Sequence, residues 1–173
     1  MENKISKVAV IGAGAVGSYF GGLLARAGHD VTLIARQDHV KAIQENGLYM
    51  ECQSFQEYVS VKAGTEYELI AEADLILFCV KSPDTESVAK EIKPFLADGA
   101  IILSLQNGVD NCERIKTVLL NPVYPAVVYV ATGMAGPGHV KHFGRGELVI
   151  GDLANGKDCA NQLNNIQDFL GKG

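Results

Sequence analysis

The segment VAVIGAGAVGSYFGGLLARAGHDVTLIAR, residues 8–36, constrains this chain more than any other. An apolar run (8–11) ends in glycine, a stretch with helical spacing of apolar residues (16–27) stops at Gly28, and a β-branched apolar run (30–35) follows. That order reads as strand, tight turn, helix and strand within the roughly 30 residues of a βαβ unit, so the two strands should be parallel neighbours with a right-handed crossover. Gly12, Gly14 and Gly17 occupy the turn with G-x-G-x-x-G spacing, with Ala13, Ala15 and Val16 between them. Gly12 suits the tight turn, Gly14 the close approach of backbone to a pyrophosphate, and Gly17 the close packing of helix on strand. The helix starting near Ala15 would aim its free N–H groups and positive dipole end at phosphates. With its strands and helix in this order, the pattern reads as a dinucleotide site rather than a ligand-free glycine turn.

Arg36 closes the segment at the position, about 20 residues past the glycines, where such sites sort their ligands. A carboxylate there accepts hydrogen bonds from a ribose 2′-hydroxyl. A guanidinium instead pairs bidentately with a 2′-phosphate. The expected ligand is therefore NADP(H) rather than NAD(H), with His39 and Lys41 close enough to add positive character; a solvated charge at a strand end is the alternative reading of Arg36.

The alternation continues downstream. Residues 37–45 can form a short helix, and 48–61 read as one or two amphipathic strands, an excursion rather than core. DLILFCV (74–80) and AIILSL (100–105) are continuous apolar runs of the kind found in parallel strands covered on both faces. Between them 83–93 is helix-like and stops at Pro94. A helix can restart after Gly108, 126–131 supplies a further strand, and the glycine-punctuated tail GPGHVKHFGRGELVIG suggests appended antiparallel strands. A last amphipathic helix is expected over about 158–170. The fold class is α/β: a Rossmann-like, mostly parallel sheet with helices on both faces and appended antiparallel strands.

Composition narrows the partners. At 173 residues the chain is the size of one domain, and a net charge of −5 offers no global basic field, which argues against nucleic acid as a partner. No segment approaches the ~18 apolar residues of a membrane span, and no signal peptide is expected. Four scattered cysteines show neither a metal pattern nor a disulfide framework, so a cytoplasmic location is expected. His29, His139 and His142 read as surface or structural residues, and Ser104 lacks the glycine of a nucleophile elbow.

Two further sites lie just past apolar strands: VKSPDT with Lys81, and LQNGVDN with Gln106, Asn107 and Gly108; Lys81 and Asn107 stand at successive strand ends. Both could reach a nicotinamide ribose or a substrate carbonyl. From spacing alone they are equally a solvated lysine and a helix N-cap.

Taken in order, IGAGAVGSYFGGLLARAGHDVTLIAR, VKS, LQNGVDN and GPGHVKHFGRGELVIG resemble the amino-terminal domain of the ketopantoate reductase (2-dehydropantoate 2-reductase) family, over the chain to about Gly151. The resemblance implies NADPH-dependent reduction of 2-dehydropantoate to (R)-pantoate, on the route to pantothenate and coenzyme A. By the same resemblance Gly12 to Gly17 hold the pyrophosphate and Arg36 the 2′-phosphate. Lys81 and Asn107 lie near nicotinamide and substrate, as positioning groups in catalysis, and Gly133 lies where backbone touches the cofactor. Family members continue into a second, mostly helical domain that supplies the general-acid lysine, a carboxylate and substrate-binding asparagines and a serine. This chain ends at Gly173 without that domain, and Lys157 and Lys172 do not sit in the family's lysine motif. The expectation is one NADP-binding domain over residues 1–173, incomplete for catalysis, with a small 2-oxo acid as substrate. A surface deprived of its companion domain would favour self-association into a homo-oligomer. A stand-alone, non-catalytic NADP(H)-binding or sensing module, or a reductase of another 2-oxo acid, are the alternatives.

Overall fold

The computed structural model describes residues 5–151 and 157–171. Its elements run β1 (Lys7–Ile11), α1 (Ala15–Arg26), β2 (Asp30–Ile34), α2 (Gln37–Asn46), β3 (Leu48–Glu51), β4 (Gln56–Val59), β5 (Lys62–Gly64), β6 (Leu75–Phe78), α3 (Thr85–Ile92), β7 (Ile101–Ser104), α4 (Asn111–Lys116), β8 (Val123–Gly136), β9 (His139–Ile150) and α5 (Lys157–Leu170). One sheet contains all nine strands, in the order β4-β3-β9-β8-β7-β6-β1-β2-β5. Six neighbouring pairs are parallel, and only β3–β4 and β8–β9 are antiparallel.

Strands β5-β2-β1-β6-β7-β8 form the parallel half, with β1 at the centre. The order runs outward from β1 first toward β2 and β5, then reverses to β6, β7 and β8. The crevice at that reversal is where an open α/β sheet binds ligands, beyond the carboxyl ends of its strands. Side-chain alternation along β1 and β2 sends Val8, Val10, Val31 and Leu33 to one core with Tyr19, Phe20 and Leu24 of α1, and sends Ala9, Ile11 and Ile34 to another with Ala89 and Ile92 of α3 and Ile115 of α4. Helices therefore cover both faces, as the unbroken apolar runs of β6 and β7 require.

Helix α1 carries three glycines at a cost of about 1 kcal/mol each relative to alanine. Close packing offsets that cost. A Cβ at Gly21 would stand 2.7 Å from Leu33 Cδ2, and one at Gly22 only 2.6 Å from Met50 Sδ. Gly21 thus lets α1 close on β1 and β2, and Gly22 admits β3 to the core, correcting the expectation that 48–61 is an excursion: Leu48 and Met50 are fully buried, and β3 lies between β4 and β9. The expected strand at 126–131 is also longer, Val123–Gly136. Its first residues pair in parallel with β7, and Pro125, which has no N–H, stands where β8 leaves β7; from Ala126 onward it pairs with β9. Among the described residues no second helical domain is present, and no helix is long and apolar enough to cross a membrane.

Candidate dinucleotide site

The glycine turn joins the carboxyl end of β1 to α1 at the reversal point of the sheet. Gly12 has φ +79°, and a Cβ there would lie 2.9 Å from Val80 Cγ1 and 3.0 Å from Val80 backbone, so both conformation and space demand glycine. The N–H groups of Gly12 and Ala13 donate to the Ile34 carbonyl at 3.1 and 2.9 Å, fastening the turn to the end of β2. A Cβ at Gly14 would meet only the Gly12 carbonyl, at 4.0 Å, so the loop's outer surface is open for another molecule's atoms. Ser18 N–H is the first in α1 to find a backbone acceptor, Gly14 O at 2.8 Å. The N–H groups of Ala15, Val16 and Gly17 are left for a ligand, and no acidic side chain occupies that first turn to compete with an anion.

A cavity of about 610 Å³ opens over this loop, within the range of small-ligand sites. Gly12 to Gly17 form its floor, Arg36, Asp38 and His39 one end, and Cys79, Val80, Lys81 and Asp84 the flank beyond β6. Met134, Gly136 and Pro137, at the tip of the β8–β9 hairpin, complete the wall. Arg36 is exposed, stands at the N-cap of α2, and has no ion-pair partner among the described residues, so its guanidinium is available to an anion. Burial pushes the Cys79 thiol up to about 12, which disfavours the thiolate at neutral pH.

His39 differs from the expectation that it adds positive charge. It is buried, its Nδ1 accepts the Gly138 N–H at 2.8 Å, and its Nε2 lies 3.0 Å from Ser18 Oγ. Burial holds the ring below the usual histidine range, and a protonated Nδ1 would oppose the Gly138 N–H, so the imidazole is neutral. Lys41, on the exposed side of α2, stands 4.0 Å from Glu45 and does not line the cavity.

Lys81 and Asn107 are brought to adjacent turns by a buried polar network that the sequence reading missed. Gln106 donates from Nε2 to the Val80 carbonyl at 3.0 Å and to Thr85 Oγ1 at 2.8 Å, while its Oε1 accepts from Ser104 at 3.1 Å. Thr85 donates to the Ser82 carbonyl at 2.9 Å. The Asn107 carbonyl accepts from Ser82 Oγ at 3.0 Å and from Asn111 Nδ2 at 2.7 Å. Lys81 is exposed and lines the cavity without an ion-pair partner among the described residues. Asn107 is exposed and stands one turn away, outside the cavity lining. Gly133 also lies outside the lining: it pairs with Lys141 across the hairpin, and its neighbour Met134 is the residue that reaches the cavity. A polar Gln directly after an apolar strand, LSLQN, was the only available signal of the network.

The other histidines make structural contacts. His139 bonds Glu51 at 2.9 Å, His142 stacks on Tyr19, and His29 lies against Phe169 with its buried Nε2 unpartnered. Cys52, Cys79 and Cys112 are free, and among the described residues no cluster could hold a metal ion.

Comparison with known proteins agrees with the fold. Residues 8–155 match the family model described as ketopantoate reductase PanE/ApbA. The 2-dehydropantoate 2-reductase of Pyrococcus horikoshii is 38% identical over 152 residues, covering 88% of this chain and 49% of that protein. The crystal structure of a PanE/ApbA family ketopantoate reductase from Ralstonia eutropha JMP134 is 54% identical with a TM-score of 0.88, covering 96% of this chain and 53% of that one. D-mandelate dehydrogenase, in its ternary structure with NADH and anilino(oxo)acetate, is 29% identical with a TM-score of 0.85, covering 96% of this chain and 54% of that one. The chain spans about half the length of the curated relatives it matches. A match over 8–155 at this depth of structural likeness places the chain in the ketopantoate reductase PanE/ApbA family.

Proposed function

We propose that this chain is the NADP(H)-binding part of a 2-dehydropantoate 2-reductase, forming (R)-pantoate for pantothenate and coenzyme A synthesis, with residues 1–173 one cofactor-binding domain. The observation that carries the reading is the cavity at the sheet's reversal point, with the free N–H groups of α1 at its floor and an unpaired Arg36 at one end. When bound, the reduced nicotinamide supplies the hydride. The chain's own residues do the rest of the binding. Ala15, Val16 and Gly17 donate backbone N–H groups to the pyrophosphate, the open face of Gly14 lets it approach, and Arg36 pairs with the 2′-phosphate. Lys81, on the flank beyond β6, and Asn107, in the next turn, orient the nicotinamide ribose and the substrate carbonyl. Reduction of a ketone also needs a proton for the developing alkoxide. Lys81 serves here in binding, and the proton donor belongs to the part of the family's length that this chain does not span, so the chain alone binds dinucleotide and reduces ketopantoate poorly.

Fluorescence titration with NADPH and NADH tests the cofactor. NADPH should bind more tightly, and Arg36→Ala should weaken NADPH about 10- to 100-fold, the worth of a charged hydrogen-bonded pair, while leaving NADH almost unchanged. Equal affinities, or a preference that survives the substitution, would remove the NADP assignment.

A second reading, reduction of a different 2-oxo acid with NADH, is favoured by two observations. The similar D-mandelate dehydrogenase was solved with NADH and anilino(oxo)acetate, and Asp38 shares the cavity end with Arg36. A panel of 2-oxo acids offered to the full-length protein separates the two, since absence of activity on ketopantoate would select this reading.

A further inference from the structure

The tip of the β8–β9 hairpin belongs to the antiparallel half of the sheet, yet it walls the dinucleotide cavity. Gly138 holds it there. Its N–H donates to His39 Nδ1 at 2.8 Å, and its carbonyl accepts the Tyr49 N–H at 2.8 Å. Its φ is +68°, and a Cβ would stand 2.8 Å from Ala42 Cβ on α2, so the tip lies directly against that helix. Across the ring, His39 Nε2 is 3.0 Å from Ser18 Oγ, which is itself 3.0 Å from the Ala13 carbonyl of the glycine turn.

The directions of these bonds are forced. A backbone N–H only donates, so Nδ1 carries no proton; the neutral ring carries it on Nε2 and donates to Ser18, whose hydroxyl donates to the Ala13 carbonyl. A chain of three hydrogen bonds with a single polarity thus runs from the hairpin tip to the phosphate-binding turn. We propose that His39 is a positioning residue for the dinucleotide: as the Nε2-protonated neutral imidazole it clasps the hairpin tip to the glycine turn, and affinity depends on that clasp. This rests on the reading that the cavity takes NADP(H). Loss of the ring leaves the buried Gly138 N–H without an acceptor and the Ser18 hydroxyl without its donor, so both the wall and the floor of the cavity loosen.

The two ends of the ring can be tested separately. Asparagine can present an acceptor near the Nδ1 position but does not reach Ser18; glutamine can present a donor near Nε2 but nothing to Gly138. NADPH affinity is measured by fluorescence for the wild type and for His39→Ala, His39→Asn, His39→Gln and Ser18→Ala, and the imidazole nitrogens are read by ¹⁵N NMR. The expected result is an Nε2-protonated tautomer in the wild type, affinity about tenfold weaker in His39→Ala, and both conservative variants between the two. If His39→Ala does not fold, Ser18→Ala, which removes a single hydroxyl, should still weaken NADPH several-fold. Affinity unchanged in Ser18→Ala and in both conservative variants, or an Nδ1-protonated ring, overturns the clasp while the cavity reading stands. A wild-type chain that binds neither NADPH nor NADH overturns the cavity reading and this role with it.

Discussion

The two halves of the sheet use opposite patterns to reach one site. In β6 and β7 every position is buried because helices cover both faces; the turn at the carboxyl end of β6 lines the cavity, and the turn after β7 is hydrogen-bonded to it. In β8 and β9 burial alternates, and Val127, Tyr129, Phe143 and Val149 are 42–55% exposed on the outer face. The parallel half makes the site by where its strands end. The hairpin makes it by reaching across, so its contribution depends on a few bonds at its tip rather than on a continuous core.

The same substitution in both halves gives the largest contrast. Phe78 in β6 is fully buried, and Phe78→Ala should cost about 3–5 kcal/mol of unfolding free energy, from lost burial and the cavity left behind. Phe143→Ala, at 55% exposure on β9, should cost less than about 1 kcal/mol. Urea denaturation of the two variants measures this. Equal losses would mean that the hairpin's outer face is covered in solution, as self-association of the chain would produce.

Legibility follows the same division. β1, β2, β6 and β7 stand out in the sequence because an unbroken apolar run has few other uses in a short segment, and the glycine spacing with Arg36 locates the end of β1 and the end of β2. β5 is three residues with one buried, Gly64, too short for any period to register. β3 was legible as a strand but not as core, since its burial depends on Gly22 of α1, about one βαβ unit away. The clasp at His39 could not be read at all: its partner Gly138 is 99 residues distant, and a histidine just past Arg36 suggests charge until burial and a backbone donor exclude it.

A smaller effect is expected at the ends of the parallel strands. Gln106→Leu preserves volume but removes the donor to the Val80 carbonyl and Thr85 Oγ1 and the acceptor of the Ser104 hydroxyl, at a cost of about 1–3 kcal/mol. Thermal unfolding should show the loss, and NADPH titration should show weaker binding because the turns of Lys81 and Asn107 come apart. Loss of stability with affinity intact would confine the network to a structural role.

The seam between the halves should respond to pH. Burial lowers the His39 value in the folded chain below its usual 6.5. A depressed histidine stabilises the fold fully above that usual value, and the contribution is lost as pH falls through the folded one. Neither hydrogen-bond partner of the ring titrates. Stability of the wild type should therefore decline as pH drops below about 6.5, and His39→Asn should flatten that part of the profile. Parallel curves for the two proteins would dismiss the neutral ring.

The smallest effect lies on the helices of the parallel half. Arg114 reaches Glu86 through two nitrogens, at 2.7 and 2.5 Å, and holds its carboxyl down to about 2 from the usual 4.5. The contribution is present above 4.5 and lost as pH falls toward 2, and solvent keeps it small because Glu86 is more than one-third exposed. Glu86→Gln should remove only the part of the acid-unfolding slope that lies between those values, as followed by circular dichroism.

If the glycine turn and Arg36 together hold a phosphorylated nicotinamide dinucleotide, a crystal structure of the chain with NADP⁺ will show it. The expected density places the pyrophosphate on the N–H groups of Ala15 to Gly17, the 2′-phosphate against the Arg36 guanidinium, and the hairpin tip still bonded to His39. An adenosine end bound away from Arg36, or a dinucleotide outside the glycine turn, would contradict the account.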